Sequence, residues 1–233
     1  MLLMGMAYPL VAHIAVLSGR PALVAASIGL LTLLILLPGL SNHRPLAWGM
    51  LLLAGCGLHA AVSSGHALLL LFLPPILLNG FMVWVFGHTL RRGRVPLIER
   101  AARLMHAPGD PLSDDIVAYA RGVTEVWAGT FIVLTAVNFL LAMFARPGGL
   151  LLAAGIEPVV AVPLSAWSLF ANVLTYGIIA ALFLGEYAVR KRRFPQQPYR
   201  GLIDFTRRLA ALGDLFRPVA RSWDPRPGTG PRD

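Results

Sequence analysis

The chain has 233 residues, of which 57% are hydrophobic and only 13% charged. Soluble domains average about 25% charged residues, so this composition excludes an ordinary soluble globule and predicts an all-α polytopic membrane helix bundle. The net charge is +9, with 11 of the 20 Lys and Arg at or after Arg190 and six more within 91–121; such blocks suit anionic headgroups or an acidic partner.

Residues 1–18 are apolar and lack a basic leading segment, so they read as a first crossing and not a cleaved signal peptide. A poorly inserted N-terminal helix is the alternative. Gly19-Arg20-Pro21 turns the chain into a second, slightly short span at 22–37, closed by Pro38-Gly39. A third span follows at 46–62. The fourth, 67–86, carries Pro74-Pro75, which remove backbone donors and predict a kink. Residues 87–122 are too polar to span. Within them, 95–106 sets Leu97, Ile98, Ala101, Leu104 and Met105 on one helical face and Glu99, Arg100 and Arg103 mostly on the other. That is the pattern of an amphipathic helix lying in the interface. Ser113, Asp114 and Asp115 suit a helix start, and this helix runs on into the fifth span, 123–144.

Residues 145–165 are apolar but broken by Gly and Pro, and read as an outer loop with a partly inserted hairpin or short helix. The sixth span, 166–187, has 22 residues and one ionisable charge, Glu186. At about 1.5 Å per residue it covers the roughly 30 Å hydrocarbon core. It runs into Arg190, Lys191, Arg192 and Arg193, and Pro195 stops it. A basic cluster just past a span marks the cytoplasmic side. A second amphipathic surface helix is expected at 199–216, and disorder after Pro218.

Counting back from this anchor gives about six transmembrane helices with both termini cytoplasmic. Eighteen Lys and Arg then lie inside, and only Arg20 and Arg146 outside. Residues 1–86 form a four-span membrane half and 87–122 a cytoplasmic amphipathic linker. Residues 123–187 form a two-span half with an outer loop at 145–165, and 188–233 a basic cytoplasmic tail. Both surface helices fall on the cytoplasmic side.

Glu125 and Glu186 are the candidate catalytic residues. Each lies four residues from an arginine, Arg121 and Arg190, at the cytoplasmic end of an antiparallel span, so the two carboxylates can share one depth. Ionisable groups within a span cost about 2.5–3.5 kcal/mol and usually face protein or water. Paired carboxylates beside arginines suit acid–base work or a cationic or hydroxyl-bearing group. The plainer reading is two interfacial ion pairs that fix helix depth. Asn172, Tyr176, Ile179, Phe183, Glu186 and Arg190 repeat at 4-3-4-3-4 spacing, one seam of the sixth helix. With Arg121, the residues Asn172, Tyr176 and Arg190 make a candidate substrate-binding groove for a lipid-like ligand. The plainer reading is a packing seam with Asn172 as interhelical glue.

Arg91, Arg92, Arg94, Arg100, Arg103, Lys191, Arg192, Arg193, Arg207 and Arg208 form the candidate lipid or partner surface. His13, His59, His66 and Cys56 lack metal-site spacing, so neither a metal nor a cofactor is expected. The single cysteine, Cys56, excludes an intrachain disulfide. The chain has no phosphate loop, nucleophile elbow or zinc-protease motif. Its aromatics lie mostly in spans, so nucleic acid is not an expected partner.

The stretches FGHTLRRGRVPLIERAARL (86–104), WSLFANVLTYGIIAALFLGEYAVRKRRFP (167–195) and YRGLIDFTRRL (199–209) resemble a bacterial family of small multi-pass inner-membrane proteins. Its members occur beside aryl-polyene and xanthomonadin-type pigment biosynthesis genes, and some carry the label "ketosynthase". The resemblance covers the second half of the chain, and the first four spans only in character. Ketosynthase activity is not expected. A condensing enzyme needs a soluble thiolase-type fold and an activated cysteine, whereas Cys56 lies in an apolar span. What the resemblance implies is a bacterial inner-membrane location and an envelope-lipid or polyene pathway acting on carrier-bound acyl chains. The leading expectation is an accessory membrane protein of that pathway, non-catalytic or of unknown activity. Its partners would be anionic membrane lipids and an acyl carrier protein or pathway enzymes. The alternatives are an integral-membrane enzyme acting on a lipid-like substrate near Glu125 and Glu186, or a subunit of a lipid exporter.

Overall fold

The computed structural model describes residues 2–105 and 112–195. The helix expected at 199–216, with Arg207 and Arg208, lies outside the described residues. Four helices come first: α1 (Leu2–Ser18), α2 (Pro21–Ser41), α3 (Pro45–Ser63) and α4 (Ala67–Thr89). A short α5 (Leu97–Met105) and the 31-residue α6 (Asp114–Phe144) follow. After α6 come β1 (Ala145–Arg146), α7 (Leu150–Ala153) and β2 (Val162–Pro163). The last helical stretch is built of α8 (Leu164–Leu169), one π-helical turn (Phe170–Leu174) and α9 (Thr175–Arg193).

Five stretches among the described residues are long and apolar enough to cross a bilayer: Ala22–Ser41, Pro45–Ser63, Ala67–Thr89, Asp114–Phe144 and Leu164–Arg193. The chain is an all-α membrane protein. Its outward surface fits that medium. On α3, Leu46, Leu52 and Leu53 are 70–75% exposed and Ala47 is the one buried side chain. In water such a face would drive association; in a bilayer, lipid covers it. The first crossing expected from the sequence is the exception in length. α1 has 17 residues, a rise of about 25 Å against the roughly 30 Å core.

The chain divides into two compact units, Met1–Val85 with Trp127–Leu184, and Phe86–Val126 with the chain from Gly185 onward. In the first, the buried core gathers Tyr8, Ala12, Ala15 and Val16 of α1, Val24 of α2, and Leu71 and Phe72 of α4 around Trp167 of α8. Phe72 meets Trp167 edge to face, with ring centroids 4.6 Å apart. Ala12 and Ala15 are fully covered because small side chains let helix backbones close on each other. Gly39 does the same between α2 and α3: a Cβ there would lie 2.7 Å from that of Ala47.

One expectation changes here. The second span does not stop at Leu37, for α2 continues through Pro38 to Ser41. The Ser41 hydroxyl and the Asn42 amide both donate to the Pro38 carbonyl, so the final turn keeps its acceptor satisfied. The helix α4 runs unbroken through Pro74-Pro75, and Asn79 Nδ2 donates to the Pro75 carbonyl at 2.7 Å. The loop after α6 is tied at its ends by a two-residue parallel pairing, Ala145 with Val162 and Arg146 with Pro163. Gly149 makes this closure possible, because a Cβ there would lie 2.3 Å from the Ala145 carbonyl oxygen.

In the second unit, α5 is held by its neighbours. The backbone N–H of Leu97 donates to the Thr89 hydroxyl at 3.1 Å, and that of Ile98 to the Thr124 hydroxyl at 3.4 Å. Two first-turn donors, which a helix cannot satisfy itself, are thus capped by α4 and α6. Leu97 and Ala101 of the face expected from spacing are buried and Arg103 is exposed, but two positions depart from it. Glu99 is buried and Leu104 is exposed. Glu99 tolerates burial because Arg103, one turn on, donates to its Oε1 through both Nε and Nη2, at 2.9 and 2.6 Å.

Candidate functional site

The first unit carries a cavity of about 580 Å³ at the end of the bundle where α1 stops, α4 starts and β1 pairs with β2. Its walls are mostly small or apolar, Ala15, Val16, Val24, Leu68 and Leu164 among them. Ser18, Ser165 and Arg146 add the polar side chains, and Arg146 is the one ionisable group among the lining residues. An apolar concavity of several hundred cubic ångströms with a few polar groups is the usual form of a small-molecule site. The loop supplies Arg146 with an ion-pair partner, Glu157, whose side chain is 78% exposed. Pairs this exposed contribute ~0–1 kcal/mol.

About one helical turn (~5.4 Å) deeper, by the spacing from Leu164 and Ser165 to Ser168, lies a polar relay. His13 Nδ1 is 3.0 Å from the Ser168 hydroxyl, and Asn172 Nδ2 donates to the same hydroxyl at 3.1 Å. The Ser168 hydroxyl thus accepts from Asn172 and shares a second hydrogen bond with the His13 ring. A serine beside a histidine can begin nucleophilic catalysis. Here Ser168 is fully buried and its oxygen is already engaged, so the relay joins α1 to α8 and does not attack. Three buried atoms of this unit have no hydrogen-bond partner among the described residues: Asn138 Oδ1, Trp167 Nε1 and Thr175 Oγ1.

The π turn explains what happens to the predicted seam. The Thr175 N–H bonds to the Phe170 carbonyl, five residues back, which adds one residue to the turn. Residues beyond it are rotated relative to an uninterrupted α-helix. Asn172 is buried as expected, but Thr175 takes the next inward position and Tyr176 is exposed. Tyr176 therefore does not share the buried seam of Asn172.

The second unit gathers Tyr119, Glu186, Arg190, Arg193 and Phe194. Glu186 Oε1 lies 3.2 Å from Arg190 Nε and 3.4 Å from the Tyr119 hydroxyl. Only 11% of the Glu186 side chain and 17% of the Arg190 side chain are exposed. The Arg193 guanidinium stands over the Tyr119 ring at 5.6 Å, and Phe194 packs on that ring edge to face. Glu125 is not part of this cluster. It pairs with Arg121 at 3.2 Å, both half exposed, while Arg121 also reaches the Leu90 carbonyl. Six residues separate Tyr119 from Glu125, which turns their side chains about 120° apart on α6. The phenol, not the second carboxylate, is what α6 presents to Glu186.

Of the candidate surface residues, Arg91, Arg92, Lys191 and Arg192 are exposed and Arg100 is half-buried. Arg94, Arg103 and Arg193 also have internal partners: the His88 ring nitrogen at 2.8 Å, Glu99, and the Tyr119 ring. Among the described residues no three His, Cys, Asp or Glu side chains converge as a metal would require. Spacing did not reveal Tyr119, His13 with Ser168, or Arg146. The one available signal was Arg146 itself, a lone cation between long apolar stretches. No family model, curated protein or solved structure matches the chain.

Proposed function

We propose that this protein is an accessory component of a lipid pathway that holds an acyl or polyene chain within the membrane. The cavity of about 580 Å³ in the first unit carries this reading, because its mostly apolar wall suits a hydrocarbon chain. The resemblance to membrane proteins of aryl-polyene-type gene clusters supports the same class of ligand. On the resemblance the protein resides in a bacterial inner membrane, and the 18-to-2 split of basic residues supports both termini being cytoplasmic. The basic face of Arg91, Arg92, Arg100, Lys191 and Arg192 then lies at the anionic leaflet, where it can also steer an acidic acyl carrier protein. Mass spectrometry of lipid that co-purifies with the full chain tests the proposal. It predicts an intact acyl or polyene lipid; lipid-free protein after mild extraction would overturn it.

A second reading, an enzyme acting on a lipid-like substrate, is favoured by one observation. Glu186 combines burial with a phenol in reach, an acid–base pair, and with a guanidinium that supplies a fixed positive charge. Under that reading the bound lipid is covalently altered over time, and Glu186→Gln stops the alteration. An unaltered lipid in the wild-type protein, with pathway partners present, would leave the accessory role.

A further inference from the structure

We infer that the cavity of the first unit takes a long-chain amphiphile ending in an oxyanion, and that Arg146 exchanges Glu157 for that headgroup. The inference rests on the accessory reading above and specifies the ligand class. Three observations lead to it. Arg146 is fixed on the cavity wall: Ala145 beside it is fully buried, and both residues are paired to β2. It is the sole ionisable lining residue, and Ser18 and Ser165 offer hydroxyls on the same lining. Finally, its carboxylate partner is a loop side chain that is mostly in solvent, so the guanidinium is neutralised from outside the cavity by a weakly held ion.

Guanidinium presents a planar fork that matches carboxylate and phosphate oxygens. An entering chain with such an end places its tail along Val16, Leu68 and Leu164 and its headgroup at Arg146, while Glu157 swings into water. A neutral chain gains the apolar wall but leaves Arg146 with Glu157. The headgroup is a carboxylate or a phosphate; the arginine reads the oxyanion they share.

The test measures binding to the full chain in a non-ionic detergent, with palmitate, hexadecyl phosphate, hexadecanol, acetate and inorganic phosphate as probes. At least one charged long-chain probe should bind about tenfold more tightly than hexadecanol. A stronger result with palmitate assigns a carboxylate ligand; a stronger result with hexadecyl phosphate assigns a phosphate. Arg146→Gln should remove the preference. Glu157→Gln, an exposed change that leaves the fold intact, should tighten the charged probe severalfold and leave hexadecanol unchanged. Equal binding of charged and neutral chains would overturn the headgroup inference while keeping the chain-holding role. Acetate or phosphate binding as tightly as the long chains would also overturn it. If no long-chain probe binds, both the inference and the function it rests on fail.

Discussion

His13 Nδ1 and the Ser168 hydroxyl are 3.0 Å apart across 155 positions of sequence. This contact links the 17-residue α1 to the stretch that holds the core tryptophan. If the three groups act as a relay, losing one end should cost nearly as much as losing both. Ser168→Ala and His13→Ala should each destabilise the bundle by about 0.5–2 kcal/mol. The double variant should be clearly less damaging than their sum. Unfolding in mixed detergent micelles reads this directly, and strict additivity would show that the two residues act separately.

Thr175 should behave in the opposite direction. Its hydroxyl is buried and has no hydrogen-bond partner among the described residues. Thr175→Val keeps the shape and removes the polar atom, so stability should hold or rise by up to about 1 kcal/mol. A loss of more than that would mean the hydroxyl has a partner in the membrane-embedded protein.

Gly149 should tolerate no side chain. Gly149→Ala puts a methyl 2.3 Å from the Ala145 carbonyl oxygen, a clash that should open the β1–β2 closure. Limited proteolysis between 147 and 161 is the readout, with cleavage expected in the variant and protection in the parent. Equal protection would mean the closure does not depend on Gly149.

Topology has its own check. Reporter fusions at Gly109 and after Asp233 should both report the cytoplasm, as the 18-to-2 division of basic residues requires. Opposite readings at the two sites would remove the proposed orientation.

The helices were legible because their signals are local. The apolar lengths marked the long helices, and Ser113-Asp114-Asp115 marked the start of α6, which the structure opens at Asp114. The misreadings came from interactions that periodicity does not encode. The face of α5 is set by two threonine hydroxyls from other helices and by the Arg103 partner of Glu99. The Tyr176 assignment assumed an unbroken 3.6-residue turn, which the π turn interrupts. Glu186 and Arg190 were visible as an i,i+4 pair, but Tyr119 comes from 67 residues away and leaves no mark in spacing. Arg146 was visible only as a charge on the outer side; its place on a cavity wall follows from the β1–β2 pairing.

The account stands or falls on whether the cavity holds a chain. Ser165 lines it yet is exposed, so Ser165→Trp should fill the space with little strain on the core; Leu53→Trp, on the outer face of α3, is the matched control. Native mass spectrometry of the parent and both variants should show one acyl lipid retained by the parent and by Leu53→Trp, and lost from Ser165→Trp. Equal lipid retention in all three would place the lipid on the outer surface and contradict the central claim.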